Sequence, residues 1–295
     1  MTRIELQVGL QYEVGPEGAD FIFNLHAAHT ASQTVSHERL LISQAVIPQI
    51  HTEPSTGTRF TRLRAWPGRL EVSYSATIDV RHFRMSPELL AEVPVAQLPF
   101  ETLPYLNPSR YCQSDQFTQL AMQQFGQMRQ GHSRVQAIQA WVQQQVKFTS
   151  NTSNSNTSAV ETLHSRTGVC RDFAHLMIAL CRALCIPARF TTGTDFGADP
   201  ILGPPDFHAY VEVFLSGGWF IFDASGTAIP MGFVRLGTGR DAADVPFASM
   251  YGPVIAQAPV IHTHAVVDAT RGWHFPVRGH EALSTDMLRG PAWRP

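Results

Sequence analysis

Cys170 is the residue with the clearest capacity for chemistry. It lies in Thr167-Gly-Val-Cys-Arg-Asp-Phe-Ala-His175, followed by Leu176, Met177, Leu180 and Leu184. With Phe173 these apolar residues recur at three- and four-residue steps, which predicts an amphipathic helix to about Arg182 with one buried face. Cys170 then sits at or just inside the first turn. Unpaired backbone N–H groups and the positive end of the helix dipole favour an anion there, so a thiol tends toward the thiolate that a nucleophile needs. Gly168 lets the chain turn into the helix and Pro187 stops it. The plain alternative is a buried structural cysteine. The residues that decide between the two lie downstream.

Phe207-His-Ala-Tyr-Val-Glu-Val-Phe214 alternates as a strand, Ser216-Gly-Gly218 reads as a turn, and Trp219-Phe-Ile-Phe-Asp-Ala224 reads as the returning strand. A His thus begins one arm of a hairpin and an Asp ends the other. With Gly217-Gly218 as a two-residue turn, Asp223 falls opposite Glu212, on the face of His208 but about four residues along. A bulge, a strong twist or a different turn must then bring the imidazole to the carboxylate. In chain order, Cys170, His208 and Asp223 supply a nucleophile, its general base and the acid that orients the base.

These residues also carry a family resemblance. Ser158-Ala-Val-Glu-Thr-Leu163, Gly168-Val-Cys-Arg-Asp-Phe-Ala-His175, Ile186-Pro-Ala-Arg189, His208-Ala-Tyr-Val-Glu-Val213 and Gly218-Trp-Phe-Ile-Phe-Asp223 resemble, in order, the blocks of the bacterial transglutaminase-like superfamily. The resemblance implies a papain-like α+β fold and a Cys-His-Asp triad at Cys170, His208 and Asp223. Asp223-Ala-Ser225 departs from the family's Asp-Pro-Thr, keeping the carboxylate with a looser turn after it. Val234-Arg-Leu-Gly-Thr-Gly-Arg-Asp-Ala-Ala-Asp-Val245 resembles a segment of one bacterial branch provisionally assigned as cysteine proteases. Members of that branch tend to be encoded beside ATP-grasp-type proteins, which implies a functional link to such proteins and a peptide or peptide-like substrate.

The chain has 295 residues, enough for one large or two ordinary domains, and its 44% hydrophobic content suffices for packed cores. A formal net charge of -2, with only 16% charged residues, gives no bias toward nucleic acid or anionic membrane. No apolar run approaches a membrane span, and the start lacks the pattern of a signal peptide. The four cysteines, Cys112, Cys170, Cys181 and Cys185, lack paired Cys-x-x-Cys spacing, and a reducing cytoplasm is the simplest expectation. Cys181 and Cys185, four apart among Leu180, Leu184 and Ile186, read as reduced core thiols.

The elements that must hold the site begin with strand-like alternation over Ile4–Tyr12, Phe21–Leu25, Val35–Ile42, Gly57–Arg64 and Arg69–Val80. This predicts an antiparallel β-sandwich or half-barrel, a β-rich domain over residues 1–105 able to engage a protein partner. Its position resembles the N-terminal β domain of many bacterial transglutaminase-like proteins. His26 and His29 would point to opposite faces of a strand and read as core or surface histidines. Prolines between Pro87 and Ser109 mark an interdomain crossing, and residues 106–295 form the catalytic domain with a C-terminal extension.

Two helices follow, with Phe117, Leu120, Phe125 and Met128 on one buried face and Val135, Ile138, Trp141 and Val142 on the other. Gln143 to Gln145 read as wetted surface. The Ser/Thr/Asn-rich stretch from Thr149 to Ser158 reads as a mobile loop, either flanking the cleft or passively connecting. A strand over Ala188–Thr192, a Gly/Pro-rich loop over 193–205, further strands after Val260 and a fraying end from residue 288 complete the reading. Arg235, Arg240, Asp241 and Asp244 form either an internal ion-pair network or, through Arg240, a clamp for a substrate carboxylate. His262 and His264 share a strand face without a matching carboxylate or cysteine, and no metal or organic cofactor is implied.

The expected function is a cysteine hydrolase, a protease or amidase, acting on peptide or isopeptide-like bonds through a thioacyl intermediate. The rivals are a protein transglutaminase using an amine acceptor and a non-catalytic binding module on the same fold. A His-based metal hydrolase lacks its spacing motif.

Overall fold

Ile4, Leu6, Val8, Leu10, Tyr12 and Val14 alternate with polar residues along one strand, and all six are buried. A period of two puts them on one face of a sheet, where burying them drives the strand into a sandwich. The computed structural model describes residues 1–197 and 206–287. The loop expected over 193–205 lies partly outside these residues and the end from 288 wholly so.

The first part contributes β1 (Thr2–Val14), β2 (Ala19–Phe23), β3 (Gln33–Ile42), β4 (Gln49–Thr52), β5 (Arg59–Ala65), β6 (Gly68–Val80) and β7 (Phe83–Met85). Short 3-10 turns lead on to α1 (Thr118–Phe125), α2 (His132–Gln145), β8 (Lys147–Phe148), α3 (Ala159–Ser165), β9 (Thr167–Gly168) and α4 (Cys170–Ala183). Next come β10 (Ala188–Asp195), β11 (His208–Leu215), β12 (Gly218–Phe222) and β13 (Phe233–Gly239). The chain then makes β14 (Ala248–Tyr251), β15 (Val254–Ala256), β16 (Val260–Val266) and β17 (Ala282–Ser284).

An antiparallel sandwich of two sheets precedes and supports a helix-covered α+β unit. One sheet runs β15-β1-β6-β3 with β16 also on β1, and the other runs β14-β2-β5-β4. Strands from the last third of the chain therefore complete sheets begun by the first residues. The sheet of the α+β unit runs β12-β11-β10-β13, all antiparallel. Ala209, Val211, Val213 and Leu215 of β11 face the core shared with Phe173, Met177 and Leu180 of α4. Val234 and Leu236 of β13 bury instead in the sandwich core, so one strand ties the two units together.

His26 and His29 lie past the end of β2, so strand alternation does not govern them. His26 Nδ1 pairs with the Thr61 hydroxyl at 3.1 Å, and His29 Nε2 meets Arg59 at 2.9 Å. Burial, helped by the Arg59 and His29 charges, pushes His26 down to about 4. Burial, with the Arg84 charge and the amino terminus, does the same for His82, also to about 4. Both imidazoles are neutral in the folded chain, whereas the unfolded chain takes up their protons below about pH 6.5. The unfolded state binds more protons between those values, so stability from this source is full above about pH 6.5 and falls toward pH 4. Urea midpoints measured at pH 7.5, 5 and 4 are expected to fall in that order.

Candidate active site

Val169 N-caps α4 and places Cys170 at its first helical position. The turn is held by Asp172, whose Oδ2 accepts from the Val169 N–H at 2.8 Å and whose Oδ1 accepts from the Ser153 hydroxyl at 3.0 Å. A Cβ on Gly168 would lie 2.7 Å from the Asp172 Cβ, so glycine is needed there to admit this carboxylate, rather than for a sharp turn. At the far end Cys185 adopts φ 59° and the Ile186 N–H reaches the Cys181 carbonyl at 3.0 Å, a left-handed stop that acts before Pro187.

The Thr149–Ser158 stretch, expected to be mobile, is fastened to this turn. Besides Ser153, the Arg171 guanidinium donates to the Asn154 carbonyl at 2.7 Å, and the Tyr111 hydroxyl donates to the Ser155 carbonyl at 2.6 Å. Composition missed this because the partners, Tyr111, Arg171 and Asp172, lie outside the stretch in sequence. His175, one turn further along α4, is fully buried, stacks on Tyr111 and accepts from the Ala242 N–H at 3.2 Å. Burial and the Arg171 and Arg182 charges keep its imidazole neutral, a structural role.

The hairpin solves the distance problem by its turn. Leu215 pairs with Gly218, leaving Ser216-Gly217 as the loop, with φ 48° and 85°. Two consecutive positive φ values are the mark of a type I′ turn, whose twist matches that of the strands. Compared with a Gly217-Gly218 loop, this register moves Asp223 two residues toward His208. His208 Nε2 lies 3.4 Å from Asp223 Oδ1, a length that catalytic hydrogen bonds commonly show before substrate is bound. The imidazole stacks on Phe233 with centroids 5.1 Å apart.

Asp223 is held on all sides. Its Oδ1 also accepts from the Ser225 N–H and hydroxyl at 3.2 and 2.8 Å, and its Oδ2 accepts from the Ala228 N–H at 2.9 Å. Its carbonyl accepts from Gln139 and Gln143 at 2.9 and 3.2 Å. One expectation is corrected here. The turn after Asp223 is not loosened by Ala224-Ser225, because the Ser225 hydroxyl clamps it. Gln143 is exposed, as a wetted face requires, and its amide also donates to the Asp223 carbonyl.

Cys170 Sγ lies 4.0 Å from the Phe207 carbonyl oxygen, beside the start of β11. Burial alone would lower His208, but the Asp223 hydrogen bond and the neighbouring Cys170 outweigh it and hold the imidazole well above its usual range. Burial works to raise Asp223, but His208, the Ala228 N–H and Ser225 keep it below the usual carboxylate range. The arrangement favours an imidazolium between a carboxylate and a sulfur, the pairing that activates a thiol. With Nε2 on Asp223, Nδ1 is the nitrogen left to exchange a proton with the reacting atoms.

The charged residues of the 234–245 stretch divide between two places. The Arg240 guanidinium is engaged by Asp244 at 2.9 and 3.1 Å, while Asp241 receives the Tyr111 and Ala243 N–H groups, both at 2.9 Å. Arg235 lies apart and fully buried. Arg240 borders a concavity of about 270 Å³ with Glu53 and Tyr105, next to one of about 650 Å³ beneath Ile50, Phe60 and Tyr251. Neither is lined by Cys170, His208 or Asp223, so convergence of reactive groups, not volume, marks the site.

Of the remaining thiols, Cys112 and Cys181 are buried and Cys185 is exposed. Cys185 is therefore a surface thiol rather than the core thiol that its apolar neighbours suggested. Burial pushes Cys112 up to about 12 and raises Cys181 further. In the folded chain, iodoacetamide is expected to label Cys170 and Cys185 and to spare Cys112 and Cys181 until denaturant is added, as peptide mass mapping can show. Asp195, at the end of β10, was missed by sequence. Its Oδ2 lies 3.9 Å from His208 Nδ1.

Residues 118–224, which include Cys170, His208 and Asp223, match the family model of the transglutaminase-like superfamily, and residues 3–101 match that of the bacterial transglutaminase N-terminal domain. A crystal structure of a provisionally named cysteine protease from Cytophaga hutchinsonii is 37% identical. It superposes with a TM-score of 0.87, covering 96% of this chain and 97% of that one. An uncharacterized protein of Mycobacterium leprae is 30% identical over 123 residues, 40% of this chain and 44% of the relative. One of Mycobacterium bovis is 33% identical over 110 residues, 34% of this chain and 35% of the relative. The matched region thus spans less than half of these mycobacterial relatives. No described helix is long and apolar enough to cross a membrane. On the near-complete correspondence with the Cytophaga fold and the two family matches, the chain belongs to the transglutaminase-like superfamily.

Proposed function

We propose that this chain is a cysteine-nucleophile enzyme that hydrolyses peptide or isopeptide-like amide bonds through Cys170, His208 and Asp223. The observation that carries this reading is the meeting of three elements at one end of the catalytic sheet. α4 brings Cys170 beside the start of β11, and the residue after β12 sets its carboxylate on His208 Nε2. The Cys170 sulfur attacks the substrate carbonyl, and the His208 Nδ1 proton passes to the leaving amine as the C–N bond breaks. Asp223 fixes the imidazole tautomer. The Cys170 backbone N–H, at the helix start, serves as one donor to the oxyanion. Water then attacks the thioester, releasing the acid and restoring the thiol.

The Cytophaga relative's designation supports the hydrolytic outcome. The match of the first hundred residues to a transglutaminase N-terminal domain favours a second reading, in which an amine replaces water and a new amide forms. A binding module on this fold has no need of a carboxylate held at Asp223 by His208, Ser225 and Ala228. All four cysteines are free thiols, which supports placing the reaction in the cytoplasm.

Digestion of a peptide library by the purified chain, with and without an added primary amine, tests the reading. Cleaved peptides absent with Cys170→Ala support hydrolysis, and amine-capped products move the assignment to transglutamination. No new product under either condition contradicts both.

A further inference from the structure

Asp195 is buried at 7% exposure, ends β10, and stands on the same face of the sheet as His208, whose strand partner is Gly193. Its carboxyl Oδ2 is 3.9 Å from His208 Nδ1 and has no hydrogen-bond partner among the described residues. A buried carboxyl oxygen without a partner is costly to keep. The separation is too long for a direct hydrogen bond but suits a small donor shared between the two atoms. Asp223 occupies the other ring nitrogen, so Nδ1 is also the atom that must take a proton from whatever attacks the thioester. The charged or titratable groups facing Asp195 are His208 and Asp223, and Cys170 faces the same imidazole.

We propose that Asp195 is a catalytic residue of the deacylation step, its Oδ2 accepting a hydrogen bond from the incoming water or amine while His208 Nδ1 receives the proton that nucleophile gives up. The inference rests on the cysteine acyl-transfer reading above. In this step the nucleophile's oxygen or nitrogen forms a bond to the acyl carbon and the C–S bond breaks. The proton taken by Nδ1 returns to the Cys170 sulfur. No further reactant is required. Acylation does not call on Asp195, because the sulfur is then the nucleophile and already stands beside the imidazole. Burial and the nearby Asp223 raise the Asp195 carboxyl above its usual range, with His208 opposing them. The group can therefore accept through Oδ2 whether ionised or not, since a carboxylic acid retains acceptor capacity.

The test uses p-nitrophenyl acetate as acyl donor, with release of nitrophenol reporting acylation and intact mass reporting the acetyl-enzyme. In Asp195→Ala and Asp195→Val, which remove the acceptor, acylation is expected at the wild-type rate, while decay of the acetyl-enzyme, in water and with added methylamine, slows roughly 3- to 10-fold, the range for losing one hydrogen bond. Decay at the wild-type rate overturns the proposal, as does acylation slowed as much as decay. Loss of folded structure by circular dichroism in both variants assigns Asp195 to the scaffold and overturns it too. A wild-type chain that takes no acetyl group at Cys170 overturns the reading beneath it, an outcome distinguishable from the others because no variant is needed to see it.

Discussion

Asp223→Asn is expected to lower kcat by about three to four powers of ten while leaving the fold intact, the magnitude seen when the acid of a triad becomes an amide. Both oxygens of this carboxylate are engaged. Oδ1 receives His208 Nε2 and both donors of Ser225, and Oδ2 receives the Ala228 N–H. An amide must set its NH2 against one of these sets. Facing Ala228, it opposes a buried N–H. Facing His208, it forces Nε2 to accept, which puts the imidazole proton on Nδ1 and leaves no base for the thiol. In either orientation the negative charge that stabilises the imidazolium is gone. Melting temperature and kcat measured on the same preparation separate this from unfolding. A loss of less than tenfold would mean that His208 does not depend on Asp223.

Arg235→Met is expected to destabilise the fold by about 3–5 kcal/mol, the cost of leaving a buried charge uncompensated. Arg235 is 1% exposed, reaches Glu212 at 3.5 Å and Asp286 at 2.8 Å, and donates to the Thr56 carbonyl at 2.8 Å. Arg189 binds the same two carboxylates, to Glu212 through Nε at 2.8 Å and to Asp286 through its terminal nitrogen. The Thr285 hydroxyl closes the cluster on Glu212 at 3.1 Å. Two arginines thus balance two carboxylates drawn from β10, β11, β13 and the segment after β17. Without Arg235, one carboxylate charge is unmatched. Burial works to raise Asp286, but the two guanidinium groups hold it well below the usual carboxylate range. Its contribution is therefore present above about pH 4 and is lost as pH falls further. Urea denaturation at pH 7 gives the difference directly, and a change below about 1 kcal/mol would show that the cluster is neutral to stability.

The strands of the sandwich were legible from their period of two, longest in β1 and β6, and β1, β2, β3, β5 and β6 lie about where it puts them. β4 was missed, being four residues, all exposed, with no buried face to write a pattern. The nucleophile helix was legible from the three- and four-residue spacing of its apolar residues, but not its surroundings, since burial runs unbroken from Asp172 to Arg182 instead of along one face. What sequence could not show were contacts between residues far apart in the chain. The pinning of Thr149–Ser158 by Arg171 and Tyr111, and the reach of Gln139 and Gln143 to Asp223, depend on how α2 and α4 pack.

The hairpin lies between these cases. Its arms and the shared face of His208 and Asp223 followed from alternation, but Ser216-Gly217 and Gly217-Gly218 are both acceptable loops, and one residue of choice moves the acid two positions. Asp195 shows the same limit at the end of a strand. The alternation of Thr192-Gly-Thr-Asp195 continues β10, but the glycines and prolines beyond it suggest that the strand has already ended.

Intact-mass analysis of the wild-type chain and Cys170→Ala after brief exposure to a peptide aldehyde or chloromethyl ketone at neutral pH tests the central claim most directly. The expected result is one adduct on the wild type, mapped to Cys170 and absent from the variant, formed while exposed Cys185 is still largely unmodified. Adduct formation at Cys185 as fast as at Cys170, or an unmodified Cys170 that iodoacetamide nonetheless reaches, would contradict an activated nucleophile at the head of α4.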